Sequence, residues 1–155
     1  MRLRLVVVGT RVPAWVSEGF ESYRRRLSRE CQLELIQVPA VHRGRNADTG
    51  RALQEEAERL LRAARGARPV ALDEHGEQID TRQLAAWLRA WMAEGRDVAL
   101  LVGGADGLAP ACLAAAERCW SLSRLTLPHA LVRVVVAEQC YRAWSLIAGH
   151  PYHRD

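Results

Sequence analysis

The sequence predicts an α/β fold, a mostly parallel sheet flanked by helices. Two observations carry that expectation. Short apolar runs such as RLRLVVV (2–8) and DVALLV (97–102) alternate with longer stretches whose apolar residues fall at helical spacing. Each pair of runs is also far enough apart in the chain for a helical crossover, which parallel pairing requires. At 155 residues the chain fits a single domain over residues 1–155, large enough to bury most of its apolar surface without a disulfide or a metal.

Taken in order, Arg2–Val8 is a valine-rich run ending at Gly9, a buried strand. A helix follows within residues 13–30, where Val16, Phe20, Tyr23 and Leu27 form one apolar stripe and Arg24, Arg25, Arg26 and Arg29 crowd the remainder. Leu33–Val38 is a second strand. The loop PAVHRGRNAD (39–48) carries His42, Arg43 and Arg45, a basic segment suited to phosphate contact. Asn46 or Asp48 then caps a helix with Leu53, Ala57, Leu60, Leu61 and Ala64 on its buried side, stopped at Gly66.

Val70–Asp73 is a third strand, with EHGEQ (74–78) as a turn after it. Asp80 and Gln83 have capping-box spacing and open a helix that buries Leu84, Leu88, Trp91 and Met92 and ends at Gly95. The fourth strand, 97–102, runs into GGADG (103–107), and Pro110 starts an alanine-rich helix reaching Cys119. Leu122–Pro128 is expected as loop and fifth strand. The last helix, from Ala130, is apolar on nearly every face yet carries Arg133, Glu138 and Arg142; the last two can pair at i, i+4.

In such a sheet ligands bind beyond the carboxyl ends of the strands. Leu72 and Asp73, Gly103 to Gly107, and Leu127 with Pro128 stand at those ends. The GGADG segment is neither a dinucleotide fingerprint nor a phosphate-binding loop with its Lys-Ser/Thr, and taken alone it reads as a turn. The tail HPYHRD (150–155) gathers the rings and guanidinium that stack on an unpaired base; a tail docked on its own domain is the plainer alternative.

Composition narrows the class further. The net charge is +4, and all 22 basic residues are arginine, the better residue for bidentate phosphate contact and base stacking. Cys31, Cys112, Cys119 and Cys140 form no C-x-x-C pair, so no metal is expected; three of them fall in helical patterns as small core residues. No apolar run is long enough to span a membrane, and MRLRLVVVGT meets a glycine too early for a signal peptide. The expectation is a cytoplasmic protein.

Six segments together resemble the ribosomal RNA large subunit methyltransferase H family, small SPOUT methyltransferases, over the entire chain. They are VVVGT (6–10), RGRNAD (43–48), LLVGGADGL (100–108), SLSRLTLPH (121–129), VAEQCYRAW (136–144) and HPYHRD (150–155). The chain departs from the family in having Ala105-Asp106 where members carry Pro-Glu, and Ala130 where they carry Pro. The resemblance implies a SPOUT-type sheet with a C-terminal trefoil knot. It implies S-adenosylmethionine-dependent methylation of N3 of a pseudouridine in large-subunit rRNA, on the assembled ribosome, by a homodimer. Carried over by position, the cofactor contacts are Leu72, Gly103, Gly104, Leu122, Ser123, Arg124, Leu125, Thr126 and Leu127, and the catalytic group is Glu138, Arg142, Tyr152, His153 and Arg154. Two rivals remain: a nucleotide-binding metabolic enzyme, which would need a phosphate loop that the sequence lacks, and a noncatalytic ribosome-binding factor.

Overall fold

The computed structural model describes residues 1–45 and 48–153. Five strands form one sheet in the order β2-β1-β4-β3-β5, and all four strand pairs are parallel. The strands are β1 (Arg2–Val8), β2 (Gln32–Val38), β3 (Arg68–Gln78), β4 (Val98–Val102) and β5 (Arg118–Ser121). The helices are α1 (Ala14–Arg24), α2 (Thr49–Ala63), α3 (Thr81–Glu94), α4 (Pro110–Ala115) and α5 (His129–Ala148).

Strand alternation sorts the core into two layers. Leu3, Leu5 and Val7 of β1, with Val98, Leu100 and Val102 of β4, face Phe20 of α1, Leu84, Leu88 and Trp91 of α3, and Val136, Ala137 and Cys140 of α5. Val6, Val8, Ala99 and Leu101 turn the other way, onto Ala57 and Leu60 of α2, Ala64 at its C-terminal cap and Cys112 of α4. The sheet is thus covered on both faces, which is why its central strands read as unbroken apolar runs.

Local signals set most helix ends. Asp48, not Asn46, caps α2 by accepting from Arg51 N, and Asp80 and Gln83 close a full capping box on α3. Gly95 and Gly149 end α3 and α5 in the left-handed conformation.

Four expectations need correction. The segment EHGEQ is not a turn after β3 but part of it: pairing with β5 breaks between Leu72 and Glu77, where the strand throws out a bulge and then resumes. The fifth strand is Arg118–Ser121, while 122–128 is a loop. Accordingly α4 stops at Ala115 and Cys119 lies in a strand, because pairing with β3 outweighs the helical preference of an alanine-rich run. Finally, α1 ends at Arg24, so Leu27 packs from the turn that follows rather than from the helix.

Candidate functional site

The bulge in β3 creates the site. Leu72 pairs with Val102 on one side and Trp120 on the other, after which residues 73–76 bulge out of register with β5 and carry Asp73 and Glu74 to the rim of a cleft. The chain can return beside β5 only because residue 76 is glycine. A Cβ there would lie 2.7 Å from the Cys119 carbonyl carbon and 2.8 Å from that of Trp120.

The cleft, about 150 Å³ in volume, lies between Leu72, Asp73, Glu74, Val102, Trp120, the loop after β5 and Val132 of α5. That loop is held by its own polar groups. Ser121 Oγ donates to the Ser123 carbonyl (3.2 Å), Leu125 N donates to Ser123 Oγ (2.9 Å), and Arg124 Nε donates to Gln78 Oε1 (3.0 Å).

Of the expected cofactor contacts, Leu72, Leu122, Ser123, Leu125, Thr126 and Leu127 line the cleft. Arg124 does not; it braces the loop against β3. Gly103 and Gly104 do not line it either, although Gly103 directly follows Val102, which does. Their lack of side chains answers close approach within the chain itself instead. A Cβ on Gly103 would lie 2.2 Å from Gly107 C and O, and one on Gly104 would lie 3.0 Å from Val8 Cγ1. The sequence alone missed Glu74, Val102, Trp120, Ser121 and Val132, because the bulge and the position of β5 were not legible.

The basic loop is tied to this glycine turn. Arg43 donates through Nη2 to Glu56 Oε1 (2.8 Å) and through Nη1 to Glu56 Oε2 (2.9 Å), and Val41 N donates to the same carboxylate (3.0 Å). Its Nε lies 2.6 Å from Asp106 Oδ2 as an ion pair, without the alignment of a hydrogen bond. Glu56 is 2% exposed; the Arg43 bond, chiefly, holds its carboxyl below the usual range against the opposing effect of burial. Arg43 is therefore engaged, and the exposed basic residues of this loop are His42 and Arg45. The Asn46-Ala47 part of RGRNAD lies outside the described residues.

At its start α5 is fastened to the end of β1. His129 Nε2 lies 2.7 Å from the Val8 carbonyl, and Arg133 Nη2 donates to the Gly9 carbonyl (2.9 Å). Burial, joined by the Arg133 charge, holds the His129 ring below its ordinary pKa and hence neutral at pH 7.

Further along α5 the second group of expected residues comes together. Glu138 Oε1 accepts from Arg142 Nε (2.8 Å) and from the Tyr152 hydroxyl (3.0 Å), and Oε2 accepts from Gln139 (2.7 Å). The Arg142 guanidinium lies 4.9 Å from the Tyr152 ring centre. Tyr152 packs 4.5 Å from Tyr141, so the described part of the tail, 150–153, docks on its own chain. Burial first, then the bond to Glu138, pushes the Tyr152 phenol up to about 12. His150 Nδ1 accepts from Tyr152 N (3.2 Å), whereas His153 Nδ1 is buried with no partner. Arg154 lies outside the described residues.

Among the described residues the two groups do not meet within one chain. None of Glu138, Arg142, Tyr152 and His153 lines the cleft, and Arg142 stands about 15 Å farther along the helix axis than Val132. The cluster leans on Tyr23, in the last turn of α1 and remote from that helix's start at the carboxyl end of β1.

Among the described residues no helix is long and apolar enough to cross a membrane. Solved structures share the fold, among them the following two. A probable methyltransferase from Bordetella pertussis superposes with a TM-score of 0.61 at 20% identity, over 92% of this chain and 95% of that one. A probable methylase family protein from Haemophilus influenzae gives 0.60 at 13% identity, over 99% of this chain and 70% of that one. The family model described as "Predicted SPOUT methyltransferase" matches residues 1–153. A parallel sheet with a cleft at the carboxyl ends of β3, β4 and β5, and a match along nearly its whole length, make this chain a member of the SPOUT methyltransferase family.

Proposed function

We propose that this chain methylates N3 of a pseudouridine in large-subunit ribosomal RNA on the assembled ribosome, using S-adenosylmethionine, as a cytoplasmic homodimer whose C-terminal region is threaded as a trefoil knot. The observation that carries the reading is the assembly of the separately resembling segments VAEQCYRAW and HPYHRD into one polar cluster through Tyr152 and Glu138.

The cleft suits that cofactor. Leu72, Val102, Leu122, Leu127 and Val132 offer apolar walls for an adenine, Ser121, Ser123 and Thr126 offer hydroxyls and backbone, and Asp73 and Glu74 place carboxylates where a cationic ligand gains from them. S-adenosylmethionine supplies, when bound, a methyl group already activated on a sulfonium. Lining up a nucleophile and taking its proton are left to the protein.

N3 lies between two carbonyls, so Arg142 serves as the cation beside an oxygen on which charge develops. Both Glu138 oxygens are occupied, which gives that residue the task of aiming Arg142 and Tyr152. Proton acceptance falls to His153, the histidine that the resemblance places in the catalytic group; His150 Nδ1 is already bonded to Tyr152 N. Tyr152, packed at a tilt against Tyr141, positions the base, with Arg154 beside it in sequence.

The separation of cleft from cluster supports the dimer. Among the described residues one chain does not bring the two together, and an isologous pair of chains can bring the cluster of each to the cleft of the other. Leu125, 76% exposed at the cleft's rim, and the half-buried Leu131, Val134 and Val135 of α5 supply apolar surface for such an interface.

Radiolabelled methyl transfer to ribosomes, isolated subunits and naked rRNA from cells lacking the protein tests the reading. The expected outcome is label at one large-subunit pseudouridine, greatest with assembled ribosomes. A calorimetric titration of S-adenosylmethionine that gives no heat, alongside intact ribosome binding, would instead establish a noncatalytic binding factor.

A further inference from the structure

We propose that Arg43 is a positioning residue that makes the basic loop respond to occupancy of the cleft, leaving His42 and Arg45 as that loop's phosphate contacts. The inference rests on the reading of the cleft as the S-adenosylmethionine site.

Arg43 joins two parts of unequal stiffness. On one side is Glu56, 2% exposed on α2, which receives both guanidinium ends and the Val41 amide and so anchors the loop's base. On the other is Asp106, 40% exposed in the glycine turn and held by a single ion pair. That is the contact open to breaking, because water can replace it at little cost.

The turn begins one residue after Val102, part of the cleft wall. It has little room to absorb a shift: the space for a Cβ at Gly103 is filled by Gly107, whose amide donates to the Gly104 carbonyl (3.1 Å). A ligand that braces Val102 therefore braces Asp106. Through Arg43 it also fixes the backbone from which His42 and Arg45 project into solvent. Because such coupling is reciprocal, bound RNA would tighten the cofactor by the same factor.

Amide hydrogen exchange over residues 40–45, with and without saturating S-adenosylmethionine, tests this. In the natural protein the cofactor should slow exchange by about fivefold or more, the lower end of ordinary coupling. Asp106→Asn, an exposed change that keeps shape and removes charge, should bind S-adenosylmethionine within a fewfold of normal yet show no cofactor-dependent slowing. Asp106→Glu, which keeps the carboxylate, should restore it. A merely structural Arg43 would protect the loop equally with and without cofactor. Slowing that persists in Asp106→Asn, or none in the natural protein with cofactor bound, would overturn the inference alone. Absence of cofactor binding by calorimetry would overturn the reading of the cleft as well.

Discussion

Two inactive variants of this protein should restore activity to one another when mixed. Arg142→Ala removes the guanidinium beside Glu138 and Tyr152 without touching the cleft, and Thr126→Trp places an indole at the exposed rim of the cleft without touching the cluster. If each site combines the cleft of one chain with the cluster of its partner, a mixed dimer holds one site with both parts intact and one with neither. Random pairing of equal amounts makes about half of all dimers mixed, each with half its sites working, so about one quarter of normal activity should return. The two chains are co-expressed with different tags, and label incorporated into ribosomes is compared with that of each parent. If both parts came from the same chain, every site in the mixture would lack one of them. Activity no greater than the parents' sum would therefore refute the shared site, as would a fully active monomer by sedimentation.

Three further outcomes follow from the geometry. Arg43→Ala strands the buried Glu56 carboxylate and should cost about 3 kcal/mol, the lower end for a broken buried pair since Arg43 is partly exposed, or about 6–12 °C in thermal unfolding. The Glu56 carboxyl is depressed in the folded state, so this pair stabilises above the unfolded carboxyl's pKa of about 4.3 and is lost as pH falls through the lower folded value; the gap between the two proteins should narrow there, and a gap independent of pH would count against it. Gly103→Ala should destabilise by about 3 kcal/mol in urea unfolding, and Gly104→Ala by about 1 kcal/mol, because the first Cβ meets backbone and the second meets the Val8 side chain. In an alkaline absorbance titration Tyr152 should ionise late, near 12; Tyr152→Phe should remove that step, along with the stability that the folded protein otherwise loses as pH rises from about 10 through 12.

Much of the scaffold was legible because its signals are local. The valines of β1, buried on both faces, announce a central strand wherever the chain places it, and Asp48, Asp80 with Gln83, and Gly95 settle helix ends through bonds spanning only a few residues. The pairing of Glu138 with Arg142 was legible for the same reason, since helical spacing alone puts them side by side. Tertiary structure decided what depends on distant partners. EHGEQ looks like a turn until β5 pairs with it, and an alanine-rich run gives up its last residues to a strand because β3 offers hydrogen bonds that the sequence nearby does not reveal. Arg43 looks like a free cation in a basic loop; the buried Glu56 and the half-exposed Asp106, far along the chain, claim it. Nor does any local pattern tell that the cleft and the Glu138 cluster stand apart, since that distance arises from the direction α5 takes across the sheet after His129 and Arg133 fasten its first turns to the carbonyl end of β1.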